Sequence, residues 1–173
     1  EILIANRGPS QRDVLIGGRG NESLISDGGS DILIGGEGDD ILVIPDSNFT
    51  GTRRLLGGSG KNTLRLNGSG LILDLPAIND SRLVDIDEID ITGSGVSTLR
   101  LNVKEVLGLS SHSNSLIVRQ DVDDIIEMGT GWIESGFEII AGRTFKVLTQ
   151  GVAELKVQVQ GHAPSVTNTF LQV

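Results

Sequence analysis

The 173-residue sequence has no cysteine and no tyrosine, one tryptophan and four phenylalanines. Without cysteine, the chain forms no disulfide and offers no thiolate to a metal ion. The scarcity of large aromatic side chains favours a core of stacked aliphatic residues. With 14 basic and 23 acidic residues the formal net charge is −9, which argues against duplex nucleic acid as a partner. No apolar run is long enough to span a membrane as a helix.

Residues that typically carry catalysis are also scarce. The sequence has two histidines, His112 in a serine-rich stretch and His162 near the C-terminal end, and both are interpreted as surface residues. A Gly-x-Ser-x-Gly nucleophile motif is missing. The glycines before Lys61 do not form a phosphate-binding loop, because Leu55 stands where its first glycine belongs. We therefore predict that the chain is not an enzyme.

Glycine, in contrast, is abundant, with 24 of 173 residues, and much of it belongs to a nine-residue repeat, Gly-Gly-x-Gly-x-Asp-x-Leu-x. Residues 35–43 match the repeat at every defined position, and three imperfect copies precede it without a gap, at 8–16, 17–25 and 26–34. The first six residues of each copy form a turn and the last three form a short strand. Because two copies complete one coil, residues 18 apart are expected to stack.

Stacking of this kind brings acidic side chains together. Glycines allow positive φ and let backbone carbonyls approach closely, and an all-oxygen shell of about six to eight ligands is what Ca²⁺ prefers. Asp13 is expected over Asp31, and Glu22 over Asp40. Asp27 and Asp39 are interpreted as solvated turn residues, and a glycine- and aspartate-rich turn without an ion is the alternative. The predicted calcium ligands are the carboxylates of Asp13, Glu22, Asp31 and Asp40 and the turn glycines Gly17, Gly18, Gly35 and Gly36.

The middle strand residue of every copy is a leucine. These leucines should point inward and form two aliphatic ladders, one in each of two sheets; they are Leu15, Leu24, Leu33 and Leu42. Many flanking residues, such as Ile16 and Ile34, are apolar although they should face outward. This pattern reflects either strand propensity alone or a contact surface that is covered by the insert, a second copy or another module.

These nonapeptides resemble the RTX family, the calcium-binding repeats of bacterial secreted proteins. The resemblance is clear over residues 8–43 and returns weakly at 57–65, where Asn62 replaces aspartate and implies poor or no calcium binding. It implies a parallel β-roll with Ca²⁺ between the turns. It also implies export by type I secretion, as in toxins, proteases, lipases, adhesins and surface-layer proteins, and hence an extracellular or cell-surface location.

Beyond the repeats the period changes. Residues 44–56 are predicted to be a loop insert, whose Arg53-Arg54 pair is expected at a solvated surface, with charge balance against nearby acidic turns as the alternative. Thr-Leu-Arg-Leu-Asn occurs at 63–67 and again at 98–102, which suggests that a solenoid continues with larger coils, and 103–109 is the plausible helix. Residues 133–159 predict three strands in an antiparallel meander that covers the open end of the solenoid.

Two further acidic clusters, 85–90 and 121–124, are interpreted as a solvated strand face and a turn. Additional calcium is left open there, with Asp121, Asp123 and Asp124 as the better candidates. The polar tail, 161–173, ends in a short apolar stretch and resembles the C-terminal secretion signals of RTX proteins; a disordered tail is the alternative.

The predicted fold is therefore all-β, a calcium-binding parallel β-roll that continues into a β-solenoid with an antiparallel C-terminal cap. Its predicted divisions are 1–74, 75–160 and the tail. The predicted function is that of a calcium-dependent structural module of a larger secreted or cell-surface bacterial protein, which folds on Ca²⁺ binding after type I secretion. A carbohydrate-binding module or a self-assembling surface-layer or adhesin module is the alternative, although few aromatics are available to stack on sugars. Expected partners are calcium, other modules or a second copy, and a cell-surface or glycan ligand.

Overall fold

A computed structural model describes residues 1–6, 8, 11–47, 53–93 and 95–159 of the chain. The described residues form an all-β structure with one short helix, α1 (Val103–Leu109), and one 3₁₀ turn (Leu75–Ala77). The strands in chain order are β1 (Ile2–Ile4), β2 (Val14–Arg19), β3 (Ser23–Ile25), β4 (Ile32–Glu37), β5 (Ile41–Ile44), β6 (Arg54–Ser59), β7 (Thr63–Leu66), β8 (Ile72–Asp74), β9 (Leu83–Val84), β10 (Glu88–Asp90), β11 (Thr98–Leu101), β12 (Ser115–Arg119), β13 (Ile125–Met128), β14 (Ile133–Ile140), β15 (Arg143–Gln150) and β16 (Ala153–Gln158).

The first seven strands alternate between two sheets. The larger sheet has the order β1-β3-β5-β7-β10-β12-β16-β15-β14, and a four-stranded sheet has the order β2-β4-β6-β9. A third sheet consists of three strands from the later part of the chain, in the order β13-β11-β8. Neighbouring strands are parallel except in the β16-β15-β14 portion, where they are antiparallel.

The strand register follows the nonapeptide period. Leu15 pairs with Leu33 in one sheet and Leu24 pairs with Leu42 in the other, so residues two repeats apart lie side by side. The predicted stacking of residues 18 apart is confirmed, and the backbone N–H of Asp13 donates to the Asp31 side chain across this separation. The coil that contains the insert is longer than 18 residues, since Leu42 of β5 pairs with Leu64 of β7.

Leucines from both sheets meet in one aliphatic core. Leu24, Leu33, Leu42, Leu55 and Leu64 are fully buried. The predicted ladders therefore exist, and they continue past the repeats through residues such as Leu73, Ile89, Leu99 and Leu116. Burial of one such side chain stabilises the folded state by about 1.5–3 kcal/mol. The core thus supplies cohesion to every coil, whatever its turns contain.

The insert differs from its sequence-based interpretation. Strand β5 continues to Ile44 and β6 begins at Arg54, so strands occupy both ends of the predicted loop 44–56; residues 48–52 lie outside the described residues. Arg53 is fully buried rather than solvated. Its Nη1 and Nη2 atoms donate to the two carboxylate oxygens of Asp46 at 2.6 and 3.2 Å. This bidentate pairing compensates the desolvation of the guanidinium.

Helix α1 occupies the residues predicted to be helical, and its start is specified locally. The Asn102 side chain accepts a hydrogen bond from the Lys104 N–H at 2.8 Å, and the Glu105 carboxylate accepts one from the Asn102 N–H at 3.1 Å. This reciprocal arrangement is a capping box, which satisfies backbone donors that the helix leaves free. Val106 and Leu109 are buried against the strands.

The C-terminal strands β14, β15 and β16 form an antiparallel meander, as the sequence predicts. Strand β16 pairs in parallel with β12, so the meander extends the larger sheet. Trp132 packs against the core at the start of this meander. The predicted secretion signal, 161–173, lies outside the described residues.

Candidate metal centre

Hydrogen bonds join equivalent turn residues of successive coils. The backbone N–H of Glu22 donates to Asp40 Oδ1 at 2.8 Å, and the N–H of Asp40 donates to Asn62 Oδ1 at 3.1 Å. We call Glu22, Asp40 and Asn62, together with Gly17, Gly35 and Gly57, the Asp40 column. Each hydrogen bond fixes one oxygen of the accepting side chain and turns its other terminal atom toward the glycines.

The second carboxylate oxygens of Glu22 and Asp40 in this column have no hydrogen-bond partner among the described residues. Glu22 Oε2 and Asp40 Oδ2 are buried and accept no hydrogen bond, and the two residues are 7% and 0% exposed. A buried carboxylate oxygen without a donor carries a large desolvation cost. Each of these oxygens is therefore suited to a positively charged group that the described residues do not provide.

Backbone carbonyls converge on the same two places. A Cβ atom at Gly17 would lie 2.5 Å from Gly35 O and 2.9 Å from Glu22 Oε2. A Cβ atom at Gly35 would collide with Asp40 Oδ2 and Gly57 O. Each of these glycines thus faces one carboxylate oxygen and one carbonyl oxygen of the next coil. Oxygen donors around a space that excludes a side chain fit a hard cation such as Ca²⁺.

The second glycine of each turn brings the two backbones together. Gly36 has a φ of +121°, and a Cβ atom there would collide with Gly18 O. Gly18 has a φ of +116°, but it lies in the first complete coil and has no neighbour above it within 4 Å of such an atom. Only glycine allows both the conformation and the close approach at position 36.

A second group of carboxylates lies in the alternate turns. Asp13, Asp27 and Asp31 each place one carboxylate oxygen within 4.8 Å of the others; we call them the Asp31 cluster. Asp31 is fully buried. Its Oδ1 accepts the Asp13 N–H at 2.8 Å, and its Oδ2 accepts the Ser26 hydroxyl at 2.6 Å. The predicted pairing of Asp13 with Asp31 therefore gains a third carboxylate.

The interpretation of Asp27 as a solvated turn residue is wrong. It is half-buried, its Oδ2 accepts the Gly8 N–H at 2.7 Å, and its Oδ1 is buried without a hydrogen bond. The sequence signal is that Asp27 occupies a glycine position of its nonapeptide, so a carboxylate replaces the bare backbone of the turn. Asp39, in contrast, is exposed, as expected.

The acidic cluster at 85–90 also differs from expectation. Glu88 and Asp90 are buried rather than part of a solvated face. Glu88 forms ion pairs with Lys61, at 2.9 Å, and with Arg119, and Asp90 pairs with Arg65 at 3.1 Å. The signal in the sequence is charge alternation between strands, because Arg65 and Asp90 occupy paired positions of β7 and β10.

The carboxylates at 121–124 accept backbone hydrogen bonds. Asp121 Oδ2 accepts the Gly93 N–H at 2.8 Å, and Asp124 Oδ1 accepts the Ser97 N–H at 2.8 Å. Asp124 Oδ2 accepts the N–H of Asp121 at 2.7 Å. Burial raises the pKa of Asp124, and the two N–H donors offset part of that rise. Both oxygens of Asp124 are thus engaged by the chain itself.

Comparison with known families identifies the repeat. Residues 10–42 match the RTX calcium-binding nonapeptide repeat (4 copies). Searches of curated proteins and of solved structures found no significant match. In the described part of the chain no helix has the length and apolar composition needed to cross a bilayer. The chain therefore contains an RTX repeat region whose cofactor is calcium, and the matched family is a structural repeat rather than a catalytic one.

Proposed function

We propose that the chain is a calcium-dependent structural module of a larger secreted or cell-surface bacterial protein. In this proposal the repeat region folds when it binds Ca²⁺ after type I secretion, and the module has no catalytic role. The observation that carries the proposal is the pair of buried oxygens without a partner, Glu22 Oε2 and Asp40 Oδ2. These atoms lie inside the segment that matches the RTX repeat.

The architecture supports a parallel β-roll over residues 1–74. Consecutive strands alternate between two parallel sheets with the leucines inside, which is the arrangement that a roll of nonapeptides requires. Strands β8 to β13 keep parallel pairing with longer coils, which supports a β-solenoid continuation over 75–160. The antiparallel meander β14-β16 then serves as the cap, because it turns the last sheet edge away from further coils.

Two groups of residues are proposed to hold the ions. In the Asp40 column, the free carboxylate oxygens and the carbonyls that face Gly17 and Gly35 supply the donors. In the Asp31 cluster, Asp27 joins the two carboxylates that the repeat predicts. Calcium, when bound, would supply the positive charge that these oxygens lack. The proposed ligands are the carboxylates of Asp13, Glu22, Asp27, Asp31 and Asp40, with backbone oxygens of the turns at Gly17, Gly18, Gly35, Gly36 and Gly57.

The same residues explain why folding should depend on the ion. Without a cation, Glu22 Oε2 and Asp40 Oδ2 are desolvated without a hydrogen-bond donor among the described residues. The glycine-rich turns also gain more conformational entropy on unfolding than other residues do. Binding free energy therefore becomes folding free energy. A calcium-poor cytosol would leave the repeats unfolded and suited to export, and the extracellular calcium concentration would favour the folded form.

Circular dichroism and hydrogen exchange of the full chain test the proposal, in excess Ca²⁺ and in a chelator, with Mg²⁺ as the ionic control. We expect strand signal and slow exchange over residues 11–43 with Ca²⁺ and their loss with the chelator or with Mg²⁺ alone. Equal exchange protection of 11–43 in all three conditions would contradict the proposal.

Self-assembly is a second candidate, because β1 and β2, the first strands of the two sheets of the repeat region, each have apolar side chains and an edge that pairs with no other described strand. Ile4 on β1 and Ile16 on β2 are 63% and 59% exposed, and β1 and β2 are the terminal strands of their sheets. Sedimentation velocity of the wild type and of Ile16→Asp over a hundredfold concentration range tests it; an association that persists unchanged in Ile16→Asp opposes it. Carbohydrate binding has less support, because Trp132 packs against the core, and a glycan array would test it.

A further inference from the structure

We infer that Asn62 ends the series of ion sites in the Asp40 column. Its side-chain amide lies at the position from which side chains of the preceding coils direct a carboxylate oxygen toward a cation. This inference rests on the proposed calcium function of the Asp40 column. Asn62 then separates the coils that need a bound ion from the coils that do not.

Three equivalent turns can be compared directly. The glycine that opens each turn faces a side-chain atom five residues later, which is Glu22 Oε2 at Gly17 and Asp40 Oδ2 at Gly35. At Gly57 the corresponding atom is Asn62 Nδ2, which would lie 2.6 Å from a Cβ atom on that glycine. A backbone carbonyl of the next coil faces all three glycines, from Gly35, Gly57 and Asp85 in turn. The column thus keeps its geometry while an acceptor is replaced by a donor.

The orientation of the Asn62 amide is fixed by its neighbours. Its Oδ1 accepts the Asp40 N–H at 3.1 Å, and its Nδ2 donates to Gly58 O at 3.1 Å. The opposite assignment would place an NH₂ group against an N–H and an oxygen against a carbonyl. The amide therefore supplies, as part of the chain, a hydrogen-bond donor to an oxygen-lined turn. It also removes the negative charge that would require a cation.

Carboxylates on the two sides of Asn62 differ in their partners. Among the described residues, the carboxylate oxygens that are buried without a hydrogen bond belong to Glu22, Asp27 and Asp40, all of which precede Asn62. In the next coil, Asp87 Oδ2 accepts the Asn62 N–H at 3.0 Å and Asp87 Oδ1 accepts the Ser110 hydroxyl at 2.7 Å. The column therefore continues as a hydrogen-bonded ladder whose oxygens are satisfied by the chain.

The substitution Asn62→Asp tests the inference by restoring a carboxylate. We expect isothermal titration calorimetry and native mass spectrometry to show one more bound Ca²⁺ per chain than in the wild type. The matched control is Asn67→Asp, which adds the same charge at an exposed position and should leave the ion count unchanged. A folded Asn62→Asp variant with the wild-type ion count would overturn the inference. A wild type that binds no Ca²⁺ would instead overturn the proposed function.

The reciprocal substitution, Asp40→Asn, keeps the inference testable if Asn62→Asp does not fold. It introduces the amide one coil earlier, so we expect one Ca²⁺ fewer per chain. We also expect a higher midpoint of urea unfolding in chelator than for the wild type. Asp40→Ala is the control, because it removes the same ligand without supplying a donor, and its midpoint in chelator should lie below that of Asp40→Asn. Equal midpoints for the two variants would contradict the role assigned to the amide.

Discussion

Asp40 accepts a hydrogen bond from the backbone N–H of Glu22, 18 residues earlier in the chain, at 2.8 Å. The two carboxylate oxygens of Asp40 therefore have different roles. Oδ1 fixes the register of successive coils, and Oδ2 remains buried without a partner. A substitution that displaces this side chain affects both the stacking of the coils and the charge that favours a cation, whereas asparagine can keep the Oδ1 hydrogen bond and removes only the charge.

Asp27→Asn should weaken calcium binding. The substitution can keep the hydrogen bond from the Gly8 N–H while it removes one negative charge from the Asp31 cluster. We expect the dissociation constant of at least one site to rise by about tenfold or more, which corresponds to ~1.4 kcal/mol. Calorimetric titration measures this, with Asp39→Asn at an exposed position as the control of equal charge. Identical titrations for the two variants would remove Asp27 from the proposed ligands.

Gly35→Ala should abolish binding at the centre of the Asp40 column. The added methyl would collide with Asp40 Oδ2 and Gly57 O, both of which are proposed to line the site. We expect a loss of bound Ca²⁺ and a lower midpoint of urea unfolding in calcium. Gly108→Ala in α1 is the control, since nothing lies within 4 Å of its Cβ position and alanine favours a helix by up to about 1 kcal/mol. A Gly35→Ala variant with the wild-type ion count would show that this space is not needed.

Glu88→Gln should destabilise the chain equally in the presence and in the absence of calcium. Glu88 is buried and pairs with Lys61 and Arg119, so its neutralisation leaves cations without their partner. We expect the free energy of unfolding to fall by about 3 kcal/mol, by the same amount in calcium and in chelator. The control is Glu134→Gln, because the Glu134 side chain is 49% exposed in its pair with Lys146, and its effect should stay below about 1 kcal/mol. A loss confined to the calcium condition would link Glu88 to the ion sites instead.

Leu33→Ala should reveal how much the aliphatic core contributes once the ions are bound. Leu33 is fully buried between Leu15 and Leu55 of the neighbouring strands. We expect a loss of about 2–5 kcal/mol in the free energy of unfolding, measured by urea denaturation in excess Ca²⁺. Ile16→Ala, on the exposed face of β2, should cost less than about 1 kcal/mol. Comparable losses for the two variants would mean that both faces of this sheet are covered.

The repeat region was the most predictable part of the fold. A nine-residue period fixes which residues form turns and which form strands, and two periods fix the register, so the pairing of Leu15 with Leu33 follows from spacing alone. The helix at 103–109 was equally predictable, because its capping box is local. In both cases a short sequence pattern decides the outcome, because two consecutive repeats set the register and residues within one turn set the start of the helix.

The errors share one cause, which is that burial depends on specific contacts that the repeat period does not encode. Asp27, Arg53 and Glu88 were all expected at solvated positions, and all three are at least half-buried. The partners that make this burial possible are remote or lie outside the period: Gly8 for Asp27, Asp46 for Arg53 and Arg119 for Glu88. Composition near each residue does not reveal these partners.

The sequence by itself determined the period, the inward leucines and the acidic turns, because each depends on residue type at fixed spacing. It also marked Asn62 as the position where the acidic pattern fails. Only the tertiary structure decided which carboxylate oxygens lack a donor and where that property ends. The physical reason is that hydrogen bonds in the column cross 18, then 22, then 25 residues. The first separation follows from the repeat, but the other two are set by the insert and the longer coils, and the contacts across them determine which atom of Asn62 faces the turn.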